Sequence, residues 1–289
     1  MDILGEAKEF EQRKNMFKDQ VVIITGAGRG IGAAAAKLFA QQRAKVVIND
    51  LDAVALKSVA MEIEAAGGVA LDVPGSVTDP DFSDRLMKLS MEAFGKINVL
   101  VNNAGYTWDG MIHKMTDEQW QAMLDVHATA PFRMIRALAP YWRDAAKTEI
   151  QNTGEPQHPR CIVNISSTSG LHGNIGQANY ATGKLGIVGL TKTIAKEWGS
   201  LGIRCNAVAF GLIDTRLTQS KRQNERIQIG ERSIALGIPD EIRQAAAAHI
   251  PLGRAATPEE AASGILLMAS PLASYITGHT LEVTGGVGI

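Results

Sequence analysis

The chain of 289 residues carries only two cysteines, Cys161 and Cys205. Two are too few for a disulfide framework, and both lie in apolar, β-branched runs, so buried free thiols in a reducing cytoplasm are expected. An excess of charge is also missing. The 29 Lys and Arg against 30 Asp and Glu leave a formal net charge of −1. Binding nucleic acid as a main function needs a basic face, which this balance argues against. No apolar run approaches the roughly 18 residues of a membrane helix. The first 17 residues, MDILGEAKEFEQRKNMF, lack the apolar stretch of a secretory signal and read as a charged helical extension. His113, His158, His249 and His279 show no ligand spacing, so no metal is expected. These absences point to a cytoplasmic globular protein with neither nucleic acid nor membrane as partner.

What is present is 45% hydrophobic and 20% charged residues, ordinary for a packed domain, together with 29 glycines. Short apolar runs at 21–24, 45–49, 69–73, 97–101, 162–165, 203–209 and 281–283 read as strands, the first two as buried on both faces. Between them lie helical patterns at 30–43, 52–66, 79–94, 117–147, 178–198 and 258–270. Residues 148–159 read as a polar loop, and 212–250 as an excursion with short helices and no clear strand. Such alternation implies parallel strands with right-handed crossovers. The expected fold is α/β: a single doubly wound Rossmann domain over 18–289, with a mostly parallel seven-stranded sheet and helices on both faces. Ligands of such sheets bind beyond the carboxyl ends of the strands.

The glycines are unevenly placed. Thr25-Gly26-Ala27-Gly28-Arg29-Gly30-Ile31-Gly32 lies between the first strand and an Ala-rich helix. Glycine permits positive φ and close approach of backbone to phosphate, and the helix N-terminus favours a pyrophosphate. Asp50 ends the second strand, 24 residues beyond Gly26. A carboxylate there accepts from the ribose hydroxyls of NAD and repels the 2′-phosphate of NADP. Arg29 pulls the other way, since a guanidinium pairs with phosphate. NAD is therefore the expected cofactor, with NADP kept open by Arg29.

The spacing of Thr25, Gly26, Gly30 and Gly32 resembles the short-chain dehydrogenase/reductase superfamily, as does Asn102-Asn103-Ala104-Gly105 after the fourth strand. The resemblance runs from about residue 18 to the C-terminus, and within the superfamily the chain is most similar to the 3-oxoacyl-acyl-carrier-protein reductase group. It implies that Asn103, Val77 and Ser76 lie along the adenosine half of the cofactor, and that Ile213 and Thr215 meet the nicotinamide carboxamide. Ile31 and Gly105, inside the two motifs, join the cofactor set. It further implies a homotetramer formed through the helices around 117–147 and 178–198.

Tyr180 and Lys184 stand four apart on one helix face. A free phenol has a pKa of about 10, and a neighbouring ammonium or cofactor cation favours phenolate. Ser167 lies just after the fifth strand, beside Ser166, to which no role falls. Ser167, Tyr180 and Lys184 match the family's active site in type and spacing, and the resemblance gives Lys184 a second task on the nicotinamide ribose. Ser167 and Tyr180 then donate to a substrate carbonyl, where charge develops during hydride attack, and Tyr180 exchanges the proton.

Two positions depart from the family. His127 stands where Asn is usual; it either occupies a helix bend through its backbone or joins a proton relay to Lys184 as a titrating imidazole. Phe210 replaces a usual Pro and either narrows the pocket or packs inward. Tyr106, Trp108, His172 and the 212–250 segment are candidates for the substrate pocket. The segment's apolar spine (Leu217, Ile227, Ile229, Ile234, Leu236, Ile238, Ile242) suits a lid over an apolar ketone or secondary alcohol, such as a 3-oxoacyl thioester. The expected function is a nicotinamide-dependent oxidoreductase acting on CH–OH groups. The alternative is a cofactor-binding regulator of the same fold with lost catalysis. Hydrolytic nucleotide chemistry finds neither a Walker lysine–hydroxyl pair nor a nucleophile elbow.

Overall fold

The computed structural model describes residues 15–230 and 232–288. The expected helix of the N-terminal extension lies largely outside them. Phe17, counted with that extension, is fully buried and packs edge-on against Phe39, with ring centroids 4.8 Å apart.

The chain alternates strand and helix. In order it forms β1 (Val21–Thr25), α1 (Gly30–Gln41), β2 (Lys45–Asp50), α2 (Ala53–Ala65), β3 (Val69–Pro74), α3 (Phe82–Phe94) and β4 (Val99–Asn102). Then come α4 (Asp117–Leu124), a π-helical turn (Asp125–Thr129), α5 (Ala130–Thr153), β5 (Arg160–Ser167), α6 (Thr168–His172), α7 (Ala178–Trp198) and β6 (Ile203–Phe210). The last part holds β7 (Arg226–Ile229), β8 (Arg232–Ala235), α8 (Asp240–Ala248), α9 (Pro258–Ala269) and β9 (Thr280–Val283).

Seven strands pair in parallel in the order β3-β2-β1-β4-β5-β6-β9, the doubly wound sheet expected. The order reverses between β1 and β4, which opens a crevice at their carboxyl ends. β1, β4 and β5 are buried along their whole length because helices cover both faces. On one face Ala33, Ala35 and Ala36 of α1 pack with Ala261, Ala262 and Ile265 of α9; the small side chains bring those helices close to the sheet. On the other, Met134, Leu138 and Trp142 of α5 pack over Leu100 and Ile162. Cys161 and Cys205 are buried and unpaired, as expected.

Three expectations are corrected, and one short helix is added. The single helix over 117–147 is two, divided by the π-helical turn, with Thr116 closing a capping box on Gln119 at the start of α4. Half of the 148–159 loop is helix: Thr148 to Thr153 contain neither Gly nor Pro, so α5 continues until Gly154 caps it at φ 88°. The buried pair Glu149–Arg160 then ties that extension to β5. Residues 168–172 turn once more as α6, which was not foreseen. The 212–250 segment does hold strands: β7 and β8 form an antiparallel hairpin.

Candidate active site

The glycine loop is shaped by backbone. Gly26 and Gly30 sit at φ 66° and 53°, and a Cβ on Gly32 would lie 2.1 Å from the Gly26 carbonyl oxygen. The Asn103 side chain donates to the carbonyls of Thr25 (2.9 Å) and Gly26 (3.0 Å). The Thr25 hydroxyl in return accepts from the backbone N–H of Asn103 and of Ala104, each at 3.0 Å. These bonds clamp the end of β4 to the end of β1 and leave the first-turn N–H groups of α1, without intrahelical partners, at the cleft wall. Asn103, expected only as a cofactor contact, thus builds the loop.

Asp50 accepts from the N–H of Gly28 (2.9 Å) and of Asp52 (3.0 Å), which fixes its carboxylate beside the loop. Arg29 is paired not with Asp50 but with Asp52, at 2.8 Å. Asp52 also caps α2, and those backbone bonds, with Arg29, hold its carboxyl below the ordinary range. Two carboxylates therefore frame this end of the cleft, with the guanidinium already engaged.

At the other end, Ser167 closes β5, and its hydroxyl accepts from the N–H of Ser169. Tyr180 comes near it from the first turn of α7, and both hydroxyls line the same cleft. Burial pushes the Tyr180 phenol up to about 12, the nearby Ser167 hydroxyl opposing. Lys184, one turn on, donates to the Ile165 carbonyl (2.8 Å), its Nζ 5.6 Å from the Tyr180 ring centroid. Burial brings the ammonium down to about 7. Sequence reasoning looked for Lys184 to depress the phenol; in this cleft loss of solvent dominates both groups. Ser166 has a role after all: its hydroxyl donates to the Lys184 carbonyl at 2.7 Å and so holds α7 on β5.

His127 sits in the π-helical turn, with its side chain inside the site. Nε2 lies 2.8 Å from the Tyr106 carbonyl, which only accepts, so Nε2 carries the proton. Burial first, and the Lys184 charge second, hold this imidazole well below the usual histidine range, so it is neutral. Its ring meets that of Tyr180 edge-on, with centroids 4.9 Å apart and planes at 88°. Nδ1 has no hydrogen-bond partner among the described residues. Two glycines make room: a Cβ on Gly105 would lie 2.4 Å from His127 Cε1, and one on Gly183 would lie 2.9 Å from its Cβ.

Arg29, Asp50, Asn103, His127, Ser167, Tyr180 and Lys184 line one cleft of about 960 Å³, together with Gly26, Ile31, Val77, Gly105, Ile213 and Thr215. Tyr106 and His172 line it as expected; Trp108 does not. Its ring instead lies 5.7 Å from the Arg232 guanidinium, and Arg232 is paired with Glu118 of α4. The hairpin is thereby fastened to the opposite wall. Leu217, Ile227, Ile229, Ile238 and Ile242 face the cleft, whereas Ile234 and Leu236 are buried in the body of the lid. Phe210 does both things considered for it: it packs into the core and borders the cleft.

Two contributors went unread in the sequence. Asn179 is fully buried; its amide donates to the carbonyls of Trp108 (3.1 Å) and Gln119 (2.9 Å), and its Oδ1 accepts from the N–H of Tyr180. A polar residue next to the Tyr was the available signal. Asp109 lines the cleft and accepts from Gln177; desolvation raises its carboxyl. Nothing in its local pattern marks it. Among the described residues no cluster of metal-ligating side chains occurs, and no helix is long and apolar enough to cross a membrane.

The family model described as enoyl-(acyl carrier protein) reductase matches residues 26–288. The chain is 37% identical over 270 residues to a 3-oxoacyl-[acyl-carrier-protein] reductase of Thermotoga maritima, covering 93% of this chain and 98% of the relative. It is 38% identical to the Synechocystis protein of the same name, covering 93% and 96%. An uncharacterized oxidoreductase of Mycobacterium bovis is 36% identical over 94% of this chain and 98% of its own. The chain belongs to the short-chain dehydrogenase/reductase superfamily and is an oxidoreductase that moves a hydride between a nicotinamide cofactor and a carbonyl or secondary alcohol. The cleft fits such a cofactor: a glycine cradle, in which a Cβ on Gly26 or Gly32 would collide with backbone, and a fixed carboxylate at Asp50 stand at the switch point of the sheet.

Proposed function

We propose that the protein reduces an apolar ketone, or oxidises the matching secondary alcohol, with Tyr180 as general acid or base, Ser167 as its partner donor and Lys184 as the anchor of both proton and ribose. The observation that carries this reading is the Ser167–Tyr180 hydroxyl pair at the end of the cleft, beside Lys184. A nicotinamide bound along the glycine loop supplies or accepts the hydride. The two hydroxyls hold the substrate oxygen in place and stabilise the charge that forms on it. A neutral phenol carries the proton that a newly formed alkoxide takes in reduction. His127 holds the Tyr180 ring in line through their edge contact; as a neutral group it does not titrate in the working range.

The cofactor is NAD rather than NADP. The Asp50 carboxylate in the cleft would repel a 2′-phosphate, and Arg29, which would otherwise attract one, is already engaged by Asp52. Val77, Asn103, Gly105, Ile213 and Thr215 complete the cofactor wall. The printed names of the relatives support a 3-oxoacyl thioester, and the isoleucines of the lid support an apolar chain of that kind or another apolar ketone. Exposed Phe132 on α5 and Leu185 on α7 support a homotetramer through these helices, and two unpaired thiols support a cytoplasmic location. Following nicotinamide absorbance with NADH and NADPH against a panel of 3-oxoacyl thioesters, cyclic ketones and alkyl ketones tests the reading. Turnover of apolar ketones with NADH is expected; binding of NADH without turnover of any carbonyl or alcohol would sink it.

A further inference from the structure

Among the described residues the glycine loop offers a pyrophosphate backbone amides and no free cation. Its one basic side chain, Arg29, is held by Asp52. The charge has to come from elsewhere, and the start of the lid supplies it. Arg216 lines the same cleft and is half-buried. The other lid arginines are engaged: Arg222 with Asp240, Arg226 with Ser233, Arg232 with Glu118 and Arg243 with Asp214. Among the described residues Arg216 has neither an acidic partner nor a hydrogen bond.

Its position is also defined. The preceding residue, Thr215, faces the glycine loop, where a Cβ on Gly30 would lie 3.5 Å from Thr215 Cγ2. The Thr215 carbonyl accepts from the N–H of Thr218 (2.9 Å) and of Gln219 (2.8 Å). The Thr218 hydroxyl bonds both the Thr215 N–H and the Ile213 carbonyl. Arg216 therefore stands on a tight, internally bonded turn opposite the N-terminus of α1, where the helix dipole already favours an anion.

We infer that Arg216 is the side-chain cation for the cofactor pyrophosphate, closing from the lid over phosphates whose other side rests on the α1 amides. This rests on the nicotinamide dinucleotide as cofactor and adds a binding residue to it. A charge-assisted bond of this kind also links the first turn of the lid to an occupied cofactor site.

Calorimetric binding of NAD, ADP-ribose and adenosine to the full chain and to Arg216→Gln and Arg216→Lys tests it. Arg216→Gln is expected to weaken NAD and ADP-ribose roughly tenfold while leaving adenosine unchanged, and Arg216→Lys to recover most of the loss. The affinity of the unaltered protein for ADP-ribose should also fall more steeply with added salt than that of Arg216→Gln. Unchanged ADP-ribose binding in Arg216→Gln overturns the inference and leaves the enzyme assignment standing. An equal loss for adenosine overturns it too, because the side chain then shapes the cleft rather than meeting phosphate. Failure of the unaltered protein to bind NAD or ADP-ribose removes the cofactor premise itself.

Discussion

The imidazole of His127 stands edge-on to the phenol ring of Tyr180, 4.9 Å between centroids, in space left by Gly105 and Gly183. A methyl group on Gly105 collides with the imidazole and pushes it into Tyr180. Gly105→Ala is therefore expected to lower kcat at least tenfold, since small misplacements of reacting groups are costly. In a His127→Ala background the same substitution should cost less than threefold. Steady-state kinetics at saturating cofactor on the four proteins of this cycle give the coupling; independent, additive effects would refute the contact as the cause.

Tyr180→Phe removes the proton carrier without changing the ring that packs on His127. Turnover should fall by roughly 10³ or more. NADH affinity, read by fluorescence titration, should stay within about twofold of the unaltered protein, because the hydroxyl acts on substrate. A variant keeping a tenth of its activity would place the acid elsewhere.

Asp52 is expected to govern cofactor choice through Arg29. Asp52→Asn frees that guanidinium and removes one of two carboxylates near the ribose, so NADP binding should strengthen roughly tenfold relative to NAD. Adding Asp50→Ser should carry the preference further, at a cost in thermal stability because Asp50 accepts from the Gly28 and Asp52 amides. Comparing Kd values for NADH and NADPH decides it; an unchanged ratio in both variants counts against the arrangement described.

Glu149 and Arg160 form a pair of which only 15% and 5% of the side-chain surface is exposed, and the Arg160 hydrogen bonds draw the Glu149 carboxyl down from 4.5 to about 2. A carboxyl depressed in the folded state contributes stability that is complete above its unfolded pKa and is lost as pH falls through the folded one. Glu149→Gln should therefore be less stable than the unaltered protein by roughly 2–3 kcal/mol at pH 7. The gap should narrow as pH falls below 4.5 toward 2. Thermal unfolding from pH 7 to pH 3.5 measures it, and a gap that is absent at neutral pH or constant throughout would contradict the pair's role.

The strands of the sheet were legible because the central ones are apolar runs buried on both faces, as Val21 to Ile24 are, and the half-exposed edge strands at 69–74 and 280–283 keep enough apolar residues to show. The glycine loop and the Ser167, Tyr180 and Lys184 positions were legible because their chemistry depends on spacing within one element or at one strand end. The hairpin was not. Arg226–Ile229 and Arg232–Ala235 are four residues each, half-exposed, with Arg, Gln and Ser between isoleucines, too short to show a period. Trp108 looked like a pocket residue because it follows β4, but its ring faces the Arg232 guanidinium instead. The pairing of Arg29 with Asp52 rather than Asp50 depends on where α2 begins, which spacing alone does not fix.

The π-helical turn Asp125–Thr129 has a mechanical meaning beyond the bend it makes. Such a turn is an α-helix carrying one residue too many, and each residue of an α-helix advances the side-chain direction by about 100°. Removing one residue from this turn would let α4 and α5 merge into a single regular helix. One half would then be rotated by about a quarter-turn against the other. Either Met134, Leu138 and Trp142 would leave the sheet, or His127 would swing away from Tyr180. The turn works as a phase shifter, letting one stretch of chain serve the core with one half and the reaction with the joint.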